Sequence, residues 1–419
     1  MFHGDVCCPP PRPTAGWPSR AQFEPHRVDI DARGWSHRRV FVHDTRLPHV
    51  LEPACYHEPS WHERELAAVF RPGWQCVATL DELPREGDYV TRELLGVPLL
   101  LRRAGGQVRA FRNVCAHRFA ALCSAPKGRA ASLRCPYHGW TYADDGALTH
   151  IPDPGSFASP PGKPALIGRV KLTAVEVACA GQLVFVSLAK QPPPLAQWLG
   201  ARTHALATRL FSTDYQRVLA RSIEHPCNWK IPIENVLETY HVAELHSSWL
   251  ARHPRLVPVF GEPSAEQHEH ELGDGFSEYR DSMGAGFAPY RALVRALVGD
   301  TACHYQHHHA FPNLVVAHTP VLSFLQVVTP TGPQSSRSMI RLYLHRGAPP
   351  RAWTAPLRST IGAAASWFLN GVLREDAAIY PAVQTGVQGS ERSGVLGAKE
   401  ERVWAFQRWL ADQLAVTTP

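Results

Sequence analysis

The chain of 419 residues lacks any apolar run approaching the roughly 20 residues that a membrane-spanning helix requires. Its first twenty residues, MFHGDVCCPPPRPTAGWPSR, contain no apolar stretch of the kind a secretory signal needs, so a cytoplasmic location is expected. Lysine is scarce, with six among the 43 Lys and Arg, and no basic run occurs. The formal charge of +6 is therefore read as an arginine-rich solvated surface, and nucleic-acid binding is not expected. A local basic patch for an acidic protein partner remains compatible with that charge. Ten cysteines are too few to staple a chain of this length, and cysteines that cluster with histidines point to metal or catalysis. What is present, 44% hydrophobic and 19% charged residues, describes a globular protein large enough for two domains.

Residues 1–50 are rich in Pro, Arg and His and read as an extension outside the folded core. From 51 to 165, short apolar runs broken by Pro, Gly and Asp (74–80, 89–92, 97–102, 108–112) predict antiparallel strands. Asp144-Asp145-Gly146 predicts a tight turn, and the Pro/Gly/Ser-rich stretch 151–164 a domain boundary. The second unit, 166–419, mixes strands (181–188, 304–318, 322–329, 338–345) with helices (195–210, 229–244, 354–373, 399–414). Strands first, then strands and helices together, predict an α+β fold rather than a doubly wound sheet.

The strongest chemical signal is Cys115-Ala-His117, seventeen further residues, then Cys135-Pro-Tyr-His138. Two thiolates on one iron and two imidazoles on the other are what a Rieske [2Fe–2S] centre needs, and each short loop supplies one of each. Zinc is the competing occupant, although its usual ligand spacings differ. The segments Asn113–Arg118 (NVCAHR) and Arg134–Tyr142 (RCPYHGWTY) resemble the two cluster loops of Rieske non-haem iron oxygenases, the alpha subunits of the aromatic-ring-hydroxylating dioxygenase family. In respiratory Rieske proteins each loop carries an extra Cys and the two form a disulfide. Here position 137 is Tyr, so Cys123 has no partner in the second loop.

A second constellation follows in NWKIPIENVLETYHVAELH, residues 228–246. Non-haem Fe(II) that activates O2 is held by two His and one carboxylate with open positions. His241 and His246 would be the imidazoles. Five residues apart they lie about 140° apart on an ideal helix, so the helix has to end or distort between them. The segment resembles the iron-binding helix of the same family. That resemblance implies that Glu238 is an acidic bridge carrying electrons between the iron site and the cluster of a neighbouring subunit. Many relatives carry Asp there, and Glu is similar to the branch acting on quaternary-ammonium substrates; a solvated helix Glu is the alternative. The resemblance further implies a carboxylate ligand eight residues before a Gln, which fits Asp376 and Gln384, with Glu375 as competitor. Pro381 departs from an acidic residue common near that point. His307-His308-His309 cannot all bind one ion on a strand, because successive side chains alternate faces. His307 and His309 are expected on one face, lining a pocket or packed in the core.

For the fold, the resemblance implies an antiparallel Rieske [2Fe–2S] domain (51–165) and a helix-grip, Bet v 1-like catalytic domain (166–419). For the cofactors it implies the cluster on Cys115, His117, Cys135 and His138, and mononuclear Fe(II) on His241, His246 and Asp376. For the partners it implies a flavin-containing reductase or a ferredoxin bringing NAD(P)H-derived electrons, O2, a small organic substrate and a homotrimer. Monooxygenation (hydroxylation or demethylation) is favoured over arene cis-dihydroxylation, and a pure electron-transfer protein is the rival outside the enzymes.

Overall fold

The structure is a computed structural model and describes His43 and residues 45–160, 165–246, 268–281, 288–299, 304–347 and 354–416. The expected extension over residues 1–50 lies outside these apart from His43 and 45–50. The described residues combine antiparallel sheets with helices, as an α+β fold requires.

The first half holds β1 (Leu47–Pro48), β2 (Trp74–Thr79), β3 (Asp88–Leu94), β4 (Val97–Ala104), β5 (Gln107–Arg112), β6 (Lys127–Arg129), β7 (Leu133–Arg134), β8 (Thr141–Tyr142), β9 (Leu148–His150), β10 (Ala174–Ala180) and β11 (Leu183–Ser187). Seven of them form one sheet in the order β2-β11-β10-β5-β4-β3-β6, and β7-β8-β9 form a small second one. The Pro/Gly/Ser stretch after Ile151 does not end the large sheet, because β10 and β11, which follow it, pair with β5 and β2. Alternation along β4 divides two cores. Leu99 and Leu101 join Val90, Leu94, Val184 and Val186, whereas Leu100 packs with Phe111, Cys115, Cys135, Trp140 and Leu148. The cluster loops thus rest on one face of this sheet. The predicted turn after Tyr142 is present: Ala143 and Ala147 bond across it, and Gly146 takes the left-handed conformation (φ 82°) the turn demands.

The second half holds β12 (Tyr215–His225), β13 (His268–Gly273), β14 (Phe276–Asp281), β15 (Tyr305–Ala310), β16 (Leu314–His318), β17 (Leu322–Gly332), β18 (Ser335–His345) and β19 (Val395–Leu396). All but β19 form a seven-stranded antiparallel sheet in the order β12-β18-β17-β16-β15-β14-β13. One face, with Val316, Leu325, Val327 and Tyr343, packs on Trp74, Leu183, Phe185 and the Leu195–Leu210 helix. The other face contributes Val315 and Val328 to a core with Trp229, Ile231, Ile233, Tyr380 and Phe406. The predicted 354–373 helix runs on through Pro381 as the long helix Thr354–Gly389, and the C-terminal helix spans Glu401–Val416. The predicted 304–318 strand is two strands joined at Phe311–Asn313. The predicted 229–244 helix is broken into Lys230–Val236 and the single turn Val242–Leu245.

Candidate metal centres

The two cluster loops share one backbone plan. Phe119 N–H donates to Cys115 O and Cys115 N–H to Ala120 O; Gly139 N–H donates to Cys135 O and Cys135 N–H to Trp140 O. The fourth residue after each Cys is left-handed, Phe119 at φ 61° and Gly139 at φ 71°. A Cβ at Gly139 would meet Arg134 and Pro152 at 2.9 Å, which explains glycine in the second loop. Asn113 secures the first loop: its Oδ1 accepts from Leu122 and Cys123 N–H at 3.1 Å and its Nδ2 donates to Cys123 O at 2.7 Å.

These loops bring Cys115 and Cys135 together, both buried, and set the His117 and His138 rings 4.6 Å apart. Trp140 stacks on His117 at 4.7 Å and Phe157 meets it edge-on at 5.4 Å. Burial, then the adjacent Cys135, raises the Cys115 thiol, and burial lowers His117. His117 Nδ1 is buried without a hydrogen-bond partner. Paired buried thiols, paired imidazoles and an orphaned ring nitrogen fit a Rieske cluster. Tyr142 was not singled out from the sequence. Its hydroxyl accepts from Ala116 N–H at 3.1 Å and so has its proton available for Cys115 Sγ, also at 3.1 Å. Cys123 is unpaired and packs against the core beneath the loops.

At the second centre, each residue of the NWK run is anchored. Asn228 N–H donates to Gln384 Oε1 at 2.7 Å, and its own Oδ1 accepts from Lys230 N–H at 3.1 Å. Trp229 Nε1 and Lys230 Nζ both donate to Glu65, at 2.7 and 2.5 Å, and the Lys230–Glu65 pair is wholly buried. After Val236 the chain leaves the helix. Glu238 Oε2 accepts from the N–H groups of Tyr240 and His241, which starts the next turn, while Glu238 Oε1 holds His241 Nδ1. With its side chain 9% exposed, Glu238 is no solvated helix residue. His241 and His246 cap the two ends of the Val242–Leu245 turn, so the expected break does not fall between them: the first helix ends at Val236, before His241.

The long helix supplies the rest. Asp376, Tyr380 and Gln384 lie four residues apart on its buried face. Tyr380 meets the His225 ring at 5.3 Å, and Gln384 also donates to Tyr56 O at 3.1 Å. The spacing of eight between Asp376 and Gln384 is thus two turns of one face. Asp376 Oδ1 lies 3.3 Å from His246 Nε2 and 3.7 Å from His241 Nε2, and one ligand atom from each of the three residues lies within 4.8 Å of the others. That buried oxygen makes no hydrogen bond of good geometry, so the three groups surround a common point rather than satisfying one another. A two-His, one-carboxylate set with an orphaned oxygen fits a divalent iron. Burial lowers the basicity of His246, but the Asp376 and Glu375 carboxylates outweigh it and hold its pKa above the ordinary value. A bound cation would displace that proton.

Glu375 is not at the shared point: its Oε2 lies 2.9 Å from the other nitrogen of His246, Nδ1. The three consecutive histidines are also elsewhere, and all are buried. His307 Nδ1 accepts from Arg402 at 2.9 Å and His309 Nε2 faces Pro312 O at 2.9 Å. His308, on the opposite face, sits between Thr203 and Glu278 at 2.9 and 3.0 Å. Of the aromatics near them, Phe311 packs on Phe406 and Trp409.

Residues 73–161 match the family described as Rieske [2Fe-2S] domain, and residues 212–416 match ring hydroxylating alpha subunit (catalytic domain). The glycine betaine monooxygenase oxygenase subunit of Chromohalobacter salexigens is 35% identical over 232 residues, 53% of this chain and 50% of that protein. Chloroplastic choline monooxygenase of Spinacia oleracea is 32% identical over 49% of this chain and 48% of its own length. The chain therefore spans about half the length of these curated relatives. Among solved structures, naphthalene 1,2-dioxygenase from Rhodococcus sp. bound to indole aligns with a TM-score of 0.69 at 21% identity, covering 89% of this chain and 95% of that one. The quaternary ammonium Rieske monooxygenase CntA in complex with L-carnitine aligns with a TM-score of 0.67 at 19% identity, covering 88% and 95%. At such identities these two likenesses establish the fold. The two family segments occur in one chain, in the same order as its two metal-type residue groups, and the chain belongs to the Rieske non-haem iron oxygenase family, as a ring-hydroxylating-type alpha subunit.

Proposed function

We propose that this chain is the oxygenase component of a monooxygenase acting on a small quaternary-ammonium compound. Electrons would come from NAD(P)H through a flavin-containing reductase or a ferredoxin. The observation that carries this reading is the presence of both residue groups in one chain: the paired Cys/His loops and the convergent His241, His246 and Asp376. In this role Cys115, Cys135, His117 and His138 hold the cluster, and His241, His246 and Asp376 hold Fe(II). When bound, the cluster supplies single electrons and the iron supplies O2 activation.

The chain's own residues prepare the site. The buried Asp376 supplies the anion that a divalent ion needs, and the surrounding burial keeps bulk water away. Glu238 fixes His241 through Nδ1 and lies beside Tyr240, which is 65% exposed. At the cluster end, Phe119 and Tyr137 are 80% and 57% exposed. Uncovered aromatics beside each centre support a head-to-tail homotrimer in which Glu238 of one copy faces the cluster of the next. We place the protein in the cytoplasm; among the described residues no helix is long and apolar enough to cross a membrane.

The substrate class is supported by the 35% and 32% identities to enzymes named for glycine betaine and choline, and by Glu at position 238. Arene cis-dihydroxylation is the second reading, favoured by 30% identity over 212 residues to an anthranilate 1,2-dioxygenase large subunit of Burkholderia cepacia. The test begins with iron and acid-labile sulfide on anaerobically purified protein. About three irons to two sulfides are expected, and about two to two with no further Fe(II) uptake would leave an electron carrier. NADH, a reductase and either glycine betaine or choline should then consume O2 with release of formaldehyde or an aldehyde. A diol from anthranilate or another arene, with no reaction of the ammonium compounds, would replace the first reading by the second.

A further inference from the structure

The two imidazoles that face Asp376 are each held from behind by a glutamate. Glu238 takes Nδ1 of His241, and Glu375 Oε2 lies 2.9 Å from Nδ1 of His246. Consecutive residues on a helix point about 100° apart. Glu375 and Asp376 use that angle to straddle one ring, Glu375 at Nδ1 and Asp376 at Nε2, 3.3 Å away. A His whose Nδ1–H donates to a carboxylate has its Nε2 lone pair free, so the contact selects the tautomer able to bind a cation at the shared point.

We infer that Glu375 is a positioning residue that fixes the tautomer and ring orientation of His246 for metal binding, the partner in kind of Glu238 on His241. This rests on the iron-site reading above. Geometry separates Glu375 from a ligand role, because its carboxylate meets the ring on the side away from Nε2. It also explains why two adjacent acids are useful here: one helix turn delivers both a ligand and the group that orients a second ligand. His246 is the more enclosed of the two rings, 6% against 21% side-chain exposure, so its orientation depends on buried protein groups rather than on water.

The test uses the full chain with its cluster in place, with Fe(II) removed by a chelator and titrated back anaerobically. Cluster absorbance serves as the check that the protein is folded. Glu375→Ala should raise the Kd for Fe(II) about 10–100-fold. Glu375→Gln, which keeps an acceptor but loses the charge, should raise it less, and Glu375→Asp should fall between wild type and Ala. Co(II) bound in place of iron should show altered visible absorption in Glu375→Ala, reporting a changed ligand field rather than general damage. If Glu375→Ala loses the cluster, Glu375→Gln carries the measurement. Wild-type Fe(II) affinity and an unchanged Co(II) spectrum in the folded variants would overturn the assignment. A wild-type protein that takes up no iron beyond the cluster would instead overturn the metal-site reading beneath it.

Discussion

The proposed cluster site and the proposed iron site solve the same problem, holding two imidazoles and their companions around a point, by different means. Around the cluster, all four side chains come from two loops within 24 residues of sequence, Cys115 to His138, and both loops repeat one hydrogen-bond plan. Their support is mainly apolar and local: Trp140, Phe157, Leu100 and Leu148. At the iron site the histidines flank a single helical turn, and the carboxylate arrives from a helix more than 100 residues later. There the support is polar and long-range. Glu238 and Glu375 hold the rings, Gln384 holds Asn228, and the buried Glu65 takes both Trp229 and Lys230. The difference teaches that a centre built from contiguous loops can rely on packing, whereas one built across distant elements needs charged and hydrogen-bonded struts to set its register.

If the two centres are separately built, they should be separately breakable. The largest effect is expected from Cys135→Ser, which should abolish the cluster's absorbance and EPR signal while Fe(II) still binds at the other site. Loss of both metals would show that the regions depend on each other. His246→Ala should leave the cluster signal intact and reduce product formation to background, as followed by substrate-dependent O2 uptake. Glu238→Gln is expected to keep both metals when Fe(II) is saturating and to lower turnover about 10–100-fold, followed by substrate-dependent O2 uptake; unchanged turnover would remove Glu238 from the proposed electron route. The smallest effect belongs to Tyr142→Phe. Losing one hydrogen bond to Cys115 Sγ, worth about 1 kcal/mol, should lower the cluster potential by about 40 mV for a one-electron couple. Redox titration measures it, and iron affinity should not move.

This contrast also explains what could be read from the sequence. The Cys115/His117 and Cys135/His138 loops were legible because ligand identity and spacing sit within one short window. His241 and His246 were reached through the resemblance of the segment around them to the family's iron-binding helix, and the break expected between them lies instead before His241, after Val236. The helix was nevertheless expected to run through 229–244, because nothing in the apolar pattern reveals that Glu238 would cap a new turn with its own carboxylate. Asp376 was reached through the family resemblance, which implies an acid eight residues before a Gln, but Glu375 looked like a rival ligand. Only the angle at which the long helix meets His246 separates the two acids, and that angle is tertiary. Strand β12 was missed because Arg217, Arg221 and Glu224 break its apolar alternation: as an edge strand it has one partner, β18. The 181–188 strand, β11, was assigned to the second unit because Pro and Gly precede it and β10 was not predicted, yet backbone pairing with β2 and β5 puts both in the first sheet.

The short pairing of β1 with β19 sets an order of events. Leu47 and Pro48 bond to Leu396 and Val395, and His43 N–H reaches Glu401 across 358 residues. Val50 N–H likewise waits for Gln407. On a ribosome making the chain from its N-terminus, the loops around Cys115 and Cys135 have their partners soon after they emerge. Residues 43–50 have theirs only when the last helix is complete. The closure entropy of so long a loop grows only slowly with its length, so the delay is set by the order of synthesis. A nascent chain stalled before residue 395 should therefore hold the Cys/His loops on their sheet while residues 43–50 still lack their seat, so the segment made first is the last to be fixed in place.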